Sequence, residues 1–172
     1  MINSKEMLFV VDEANNPLDP LPRDETHERG LWHRTSHIWI VNSKGQILCL
    51  KRSILKDSSP GLWEPYCGGH VGAAEEYLDA AVKEIGEEVG LEFKSEDLKL
   101  FKIQQCEFHR EFQAEYRVNW DGDPLTLKLE QGEVDAARWV DIGEVRSLMQ
   151  TGDSNWVVKG TEVEVLDWLQ NE

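Results

Sequence analysis

Residues 69–91 read GHVGAAEEYLDAAVKEIGEEVGL, and this stretch decides how the rest of the chain is interpreted. Its second half carries apolar residues three and four positions apart, the spacing that puts side chains on one face of an α-helix. They are Leu78, Ala81, Val82, Ile85 and Val89. Gly90 follows the last of them, and glycine commonly ends a helix because it tolerates the left-handed conformation. The pattern predicts an amphipathic helix over residues 75–89, preceded by a glycine-rich turn.

Three glutamates of this helix lie on one face beside the apolar stripe. Glu84, Glu87 and Glu88 occupy positions i, i+3 and i+4, where side chains are neighbours on a helix surface. Like charges this close repel one another, and a hard divalent cation such as Mg²⁺ or Mn²⁺ between them removes the repulsion. Acidic triplets are also common on solvated helix surfaces, so the residues around the triplet have to distinguish the two interpretations.

The spacing around the triplet matches a known pattern. Gly69 precedes Glu75 by six positions, Glu84 follows nine positions later, and Gly90-Leu91 close the stretch. Residues 69–91 therefore resemble the Nudix box, whose pattern is G-x5-E-x7-R-E-U-x-E-E-x-G-U with U aliphatic. One fixed position departs from it, because Lys83 stands where the pattern has arginine. In addition, Ala74 replaces the glycine that commonly precedes the first glutamate of the box.

The resemblance extends beyond the box. The similar segments are Trp32-His33-Arg34-Thr35-Ser36-His37, Lys51-Arg52-Ser53, Pro60-Gly61-Leu62-Trp63 and Gly68-Gly69-His70-Val71. They are similar to the branch of Nudix proteins related to isopentenyl-diphosphate isomerase, in which many members are hydrolases. The resemblance implies a Nudix fold of the α/β (α+β) class, with a mixed β-sheet sandwiched between helices. Strands and helices expected early, middle and late in the chain agree with that class.

The resemblance also implies an activity and a metal site. The activity is that of a metal-dependent hydrolase cleaving the diphosphate linkage of a nucleoside diphosphate or a related X-linked diphosphate. Glu84, Glu87 and Glu88, with the backbone carbonyl of Gly69, would hold Mg²⁺ (or Mn²⁺), and Glu84 would be the catalytic base. In the family the arginine of the box orients the adjacent glutamate. Lys83 has the same positive charge as that arginine but lacks its planar guanidinium group.

Outside the box, arginines and histidines are further candidates for the site. Arg34 and Arg52 are candidates for binding the diphosphate, because a guanidinium group matches phosphate with two hydrogen bonds. The alternative is that both form surface salt bridges. His33, His37 and His70 lie near the box in sequence, whereas His27 and His109 lie farther away. A histidine metal site would require them to converge, and we interpret His33 and His37 as ordinary residues on one face of a strand.

Two other functions have to be weighed against the hydrolase. The isomerases use a cysteine that directly precedes the box glycine, whereas Gly68 occupies that position here and Cys67 precedes it. Their second catalytic glutamate falls at Gln113, which cannot act as an acid. Cys67 is therefore expected to be a small packed residue. The other alternative is a non-catalytic Nudix module that binds a nucleotide, and the retained box glutamates argue against it.

Composition restricts the binding partners and the cellular location that can be expected. The chain of 172 residues carries a formal net charge of -15, which argues against binding polymeric nucleic acid through its phosphates. A small-molecule diphosphate then requires a bound cation to balance charge. No apolar run is long enough for a membrane helix and no signal sequence is recognised, so we expect no membrane contact and a cytoplasmic location. The three separated cysteines are expected to be reduced thiols, and a homodimer is compatible with the family.

The remaining elements follow from shorter patterns. We expect a single domain, with an N-terminal arm and edge strand over residues 1–30 and the Nudix domain over residues 31–172. Strands are expected at 7–11, 37–42, 46–51, 98–104, 113–119 and 137–140, and helices at 142–150 and 162–170. The strands at 37–42 and 46–51 should form a hairpin, and residues 56–72 an ordered loop with short extended pieces.

Overall fold

A computed structural model describes residues 6–158 and 160–171, so residues 1–5 of the expected arm lie outside the described part. The strands are β1 Met7–Leu8, β2 Leu21–Pro22, β3 His33–Val41, β4 Gln46–Arg52, β5 Trp63–Glu64, β6 Cys67–His70, β7 Lys99–Cys106, β8 Glu111–Asn119 and β9 Val134–Asp141. The helices are α1 Arg23–Glu28, α2 Tyr77–Val89, α3 Ile142–Thr151 and α4 Glu162–Asn171.

The main sheet is mixed and is built around β3. This strand pairs in parallel with β8 and antiparallel with β6, while β7 extends the sheet beyond β8. β4 pairs antiparallel with both β9 and β5. The expected hairpin between β3 and β4 is reduced to one pair, Val41 with Ile47, because the two strands diverge to different partners.

Helices cover both faces of the sheet. Alternate residues of a strand point to opposite faces, and on β3 Ile38 and Ile40 pack with α2 residues such as Ala81 and Ile85. On the other face, residues such as Trp39 and Val41 pack with α3 and α4. The expected fold class, a mixed sheet between helices, is confirmed.

The helix that carries the box glutamates forms as its sequence predicts. α2 begins at Tyr77, two residues after the predicted start, and ends at Val89. Gly90 follows in the left-handed conformation, with φ of 69°, and its N–H donates to the carbonyl of Gly86. The apolar stripe is buried against the sheet, which turns the carboxylate-bearing face toward the end of β6.

Elements before and around the box were less predictable. β3 begins at His33 rather than residue 37, and β5 and β6 lie within the stretch expected to be a loop. The short helix α1 was not predicted, because six residues are too few for a periodic pattern. The arm containing it lies along the box: the N–H of Phe9 donates to the carbonyl of Val71, and that of Ala73 to the carbonyl of Met7, both at 2.9 Å. Within the described residues, no helix combines the length and apolar character that crossing a membrane requires.

Candidate functional site

The site is centred on the contact between the start of the box and the middle of α2. Gly69 is the third residue of β6, and the Glu84 carboxylate lies directly against it. A methyl group at Gly69 would be 2.5 Å from Cδ of Glu84, closer than non-bonded carbon atoms approach. The missing side chain at Gly69 therefore lets the Glu84 carboxylate reach the backbone of β6.

The box carboxylates interact strongly with one another. Burial, and then the charges of Glu88 and Glu87, raise the pKa of Glu84 to about 8. Burial, and then the charge of Glu64, raise the pKa of Glu88 to about 7. Without a cation these carboxylates therefore resist full ionisation at neutral pH. A set of oxygen donors in this state fits a hard divalent cation such as Mg²⁺ or Mn²⁺.

Glu88 is the most constrained of the three box glutamates. Its side chain is buried, and its Oε2 accepts a hydrogen bond of 3.2 Å from the N–H of Gly68. The thiol of Cys67 lies beside this carboxylate, and burial and then the Glu88 charge raise the pKa of that thiol well above its usual value. The thiol therefore stays protonated beside Glu88, and the sequence did not predict this contact.

The two positions that carry the isomerase chemistry hold other residues here. At Gly68, where the cysteine of the isomerases falls, an added Cβ would collide with the carbonyl oxygen of Ser36. Gln113, at the position of their second glutamate, is completely buried and donates a hydrogen bond of 2.7 Å to Oε2 of Glu111. Neither position offers an acid–base group for an alkene.

Lys83 contacts the first glutamate of the box. Its Nζ lies 3.3 Å from Oε1 of Glu75, and Oε2 of Glu75 accepts a hydrogen bond of 3.0 Å from the N–H of Gly72. The lysine thus ties the body of α2 to the turn that precedes it. Its observed partner is Glu75 rather than the adjacent Glu84.

The two arginines expected to bind phosphate already have protein partners. Arg34 donates from Nε and Nη2 to Oδ1 and the carbonyl of Asn15, at 2.9 and 3.0 Å, so it fastens the arm to β3. Nη1 of Arg52 donates to both carboxylate oxygens of Glu64 at 3.0 Å, and its other nitrogens bind Ser58. Arg52 therefore lies beside Glu64, whose charge acts on the box residue Glu88, whereas Arg34 of β3 is bound to the arm.

The structure brings three histidines together beside the box. His27 of α1, His33 of β3 and His70 of β6 place one ring nitrogen each within 4.8 Å of the others. Nε2 of His27 lies 3.1 Å from Nε2 of His70, and Oε1 of Glu111 lies 3.9 Å from Nε2 of His33. The interpretation of His33 as an ordinary strand residue is therefore wrong in part. His37 shares its strand face but does not join the cluster.

The chemistry of this histidine cluster suits a cation. Nδ1 of His33 donates to the carbonyl of Leu31 at 3.0 Å, which leaves Nε2 as the nitrogen with a lone pair. Burial, and then the charge of His33, lower the pKa of His70 well below its usual value and lower that of His27. Neutral imidazoles are the form that binds metals. The histidine cluster could not be predicted from the sequence because His27 lies on the unpredicted helix α1.

Comparison with known proteins shows the family and the fold of the chain. The family model of the NUDIX domain matches residues 31–159. The chain is 28% identical over 162 residues to an isopentenyl-diphosphate Delta-isomerase of Photorhabdus laumondii, covering 89% of this chain and 87% of the relative. It is 31% identical over 150 residues to an uncharacterized Nudix hydrolase of Clostridium acetobutylicum, covering 82% and 72%. A crystal structure from Deinococcus radiodurans superposes with a TM-score of 0.75 at 21% identity, covering 95% of this chain and 99% of the other.

Proposed function

Because the chain belongs to the NUDIX domain family and is a Nudix hydrolase, we propose that it is a metal-dependent pyrophosphohydrolase. Its substrate would be a nucleoside diphosphate or a related X-linked diphosphate, cleaved by attack of water on phosphorus. The observation that carries the proposal is the Glu84 carboxylate against Gly69, with Glu87 and Glu88 on the same helix face. This arrangement places the Glu84 carboxylate against the backbone of β6 and carries two further carboxylates on the same helix.

Each residue of the site has a distinct part in this reaction. Glu84, Glu87, Glu88 and the carbonyl of Gly69 would hold Mg²⁺ (or Mn²⁺). When bound, the cation would neutralise diphosphate oxygens and lower the pKa of a water ligand. Glu84 would take the proton from the attacking water, as a carboxylate kept in its charged form by the cation can do. Lys83 would keep the turn before α2 in position through Glu75.

The arginines have a smaller part in this proposal. Arg52 would bind a diphosphate oxygen only by exchanging a bond to Glu64 or Ser58, and Arg34 only by releasing Asn15. We retain both as candidate substrate contacts, with Arg52 preferred because Glu64 lies close enough to Glu88 to influence its pKa.

The test is release of phosphate and nucleotide from a panel of diphosphates. The panel includes UDP, CDP, ADP-ribose, NADH, sugar nucleotides and isopentenyl diphosphate, each with Mg²⁺, with Mn²⁺ and with a chelator. We expect metal-dependent cleavage of at least one nucleoside diphosphate derivative. Binding across the panel without any cleavage would instead support the non-catalytic nucleotide-binding module.

An isomerase is the second candidate, because relatives carry that name. The crowding at Gly68 and the amide of Gln113 argue against it. Isopentenyl diphosphate incubated in heavy water with the protein should therefore show no exchange of its protons. Exchange that Cys67→Ala abolishes would favour the isomerase.

We further propose that the histidine cluster holds a second cation by imidazole ligands. Replacing His33 by alanine is expected to remove that cation, since His33 supplies a buried ligand nitrogen. The metal content of dialysed protein, measured by mass spectrometry after Zn²⁺ or Mn²⁺ loading, should fall by about one ion per chain. His109→Ala is the matched control, because His109 lies outside the cluster. Equal metal content in all three proteins would remove the cluster as a site.

The remaining parts of the proposal concern the domain organisation, the cellular location and the binding partners. Residues 1–30 would act as an arm on a Nudix domain over residues 31–172. A cytoplasmic location agrees with the three cysteines, which are free thiols and buried. The partner would be a small-molecule diphosphate rather than polymeric nucleic acid or a membrane, and the assembly a possible homodimer.

A further inference from the structure

The arm places a glutamate beside the Nudix box. Glu6 directly precedes β1, and the carbonyl of Met7 in β1 accepts a hydrogen bond from the N–H of Ala73, in the turn before α2. Glu6 lies outside residues 31–159, the part of the chain that matches the NUDIX family model. The pattern of the box therefore gives no information about the role of this residue.

Backbone contacts hold Glu6 in this place. The N–H of Arg23, the first residue of α1, donates to the carbonyl of Glu6 at 2.8 Å. The next residue, Met7, pairs with Pro22 in the two-stranded sheet of β1 and β2. Leu8 forms an antiparallel bridge with Gly72 of the box. The position of Glu6 therefore does not depend on its carboxylate.

The carboxylate of Glu6 and those of the box act on one another. Burial, and in addition the negative charges of Glu75 and Glu87, raise the pKa of Glu6. Burial, then the charge of Glu88 and smaller contributions that include Glu6, raise the pKa of Glu84. Interactions between charges weaken with distance and are screened by water. The carboxylates of Glu6, Glu75, Glu84 and Glu87 therefore share one region beside α2.

The positive side chains at this place do not balance the carboxylates. Arg23 and Lys83 are the cationic side chains that act on Glu6. Nζ of Lys83 already lies 3.3 Å from Oε1 of Glu75. The ion pair of Arg23 with Glu6 spans 4.0 Å, which is longer than a hydrogen bond, and Nε of Arg23 has no hydrogen-bond partner within the described part of the chain. Part of the repulsion among the carboxylates therefore remains.

A divalent cation on the arm side of the box removes this repulsion. Carboxylate oxygens are donors that Mg²⁺ and Mn²⁺ prefer, and a cation among carboxylates favours their charged form. The side chain of Glu6 is 31% exposed, so ions can reach it from solvent. Glu87, the box glutamate whose charge acts on Glu6, is exposed as well. Glu6 therefore has both the chemistry and the access that a metal ligand requires.

We propose that Glu6 is a further ligand of the divalent cation at the box, contributed by the arm. This inference rests on the proposed hydrolase, which requires that cation, and it adds a ligand from outside the matched domain. Glu6 binds the cation on the side where Glu84 and Glu87 present their carboxylates. The arm is then part of the metal site and not only a cover along the box.

Thermal melts of Glu6→Gln over a range of Mg²⁺ concentrations test the proposal without relying on turnover. A bound cation raises the melting temperature to an extent set by its Kd, and Mg²⁺ prefers oxygen donors to the imidazoles of the histidine cluster. The Kd for Mg²⁺ should rise at least roughly 10-fold, the smaller effect of losing a group that supports a metal ligand. In chelator the variant should melt no lower than the wild type, because the backbone contacts of residue 6 remain and one repelling charge is gone.

Glu6→Asp distinguishes a ligand from a charge that acts at a distance. Aspartate keeps the charge but is shorter by one methylene group, so its carboxylate no longer reaches a cation held by the box. The Kd for Mg²⁺ should therefore rise in Glu6→Asp as well. Glu13→Gln is the matched control, because Glu13 is an exposed glutamate of the same arm, and its Kd should equal that of the wild type.

The results separate this proposal from the hydrolase proposal. A wild-type Kd for Mg²⁺ in either Glu6 variant would overturn the assignment of Glu6 as a ligand, whether or not the protein cleaves diphosphates. A melting temperature of Glu6→Gln in chelator several degrees below that of the wild type would overturn it too, and would assign the carboxylate to the docking of the arm through Arg23. A wild-type protein that loses Mg²⁺ affinity in both variants but cleaves nothing would instead overturn the hydrolase alone.

Discussion

Replacing Glu84 by glutamine should lower turnover at least about 100-fold, the effect typical of losing a general base. Glutamine keeps the size of the side chain and its place against Gly69, but it cannot accept the proton of an attacking water. The substitution also removes one of the charges that repel each other around Glu88. The variant should therefore fold as well as the wild type, and its metal-free form should melt at a higher temperature. Steady-state kinetics at saturating Mg²⁺ and a thermal melt together measure both effects.

The matched control for this substitution is Glu76→Gln. Glu76 is the exposed residue that precedes α2, and its side chain makes no capping hydrogen bond. This substitution also replaces a glutamate by glutamine, but it leaves the carboxylate cluster unchanged. Turnover should therefore stay within about twofold of wild type. A folded Glu84→Gln variant with unchanged turnover would remove Glu84 from the mechanism and leave Glu87 and Glu88 as the groups to test.

The part of the site that the sequence predicts is the part built from neighbouring residues. Glu84 and Glu88 share a helix face because 3.6 residues make a turn, and Gly90 ends that helix. Their position relative to Gly69 is set by a short turn within the same stretch. The spacing of residues along the chain determines local geometry of this kind, so the carboxylate cluster could be predicted before the fold was known.

The part that could not be predicted depends on strand partners and on the arm. His27 and His70 are far apart in sequence and meet because the arm lies along the box. The contact of His37 with Glu115 exists because β3 and β8 pair in parallel at one particular register. Register between distant strands is decided by the packing of the whole sheet. For the same reason the expected hairpin of β3 and β4 is reduced to a single pair.

The stability of the metal-free protein is expected to fall as the pH rises from about 4 to 8. The pKa values of Glu84 and Glu88 in the folded chain, about 8 and about 7, lie above the ~4.3 of an unfolded glutamate. Between these pKa values the folded state binds more protons than the unfolded state. The protonated carboxylates therefore contribute their full stabilisation of the folded state below the pKa of the unfolded chain. That stabilisation is lost as the pH rises through the pKa values of the folded chain. A tenfold difference in proton affinity between the two states corresponds to ~1.4 kcal/mol, and ~1 kcal/mol changes Tm by ~2–4 °C in a chain of this size. The fall in Tm should therefore reach several degrees.

Other groups titrate in the same range, so the comparison has to isolate the carboxylates. The lowered pKa values of His27 and His70 act in the opposite sense, because these imidazoles bind fewer protons in the folded state as pH falls. Melting curves of wild type and Glu84→Gln, both in chelator, cancel the histidine contribution, and the wild type should show the steeper decline. Saturating Mn²⁺ should reduce the difference, since a cation between the carboxylates favours their charged form. Parallel curves of melting temperature against pH for the two proteins in chelator would contradict this prediction. They would mean that the charge of one box carboxylate does not hinder ionisation of another, and that the carboxylates can lie close together on α2 without a cation.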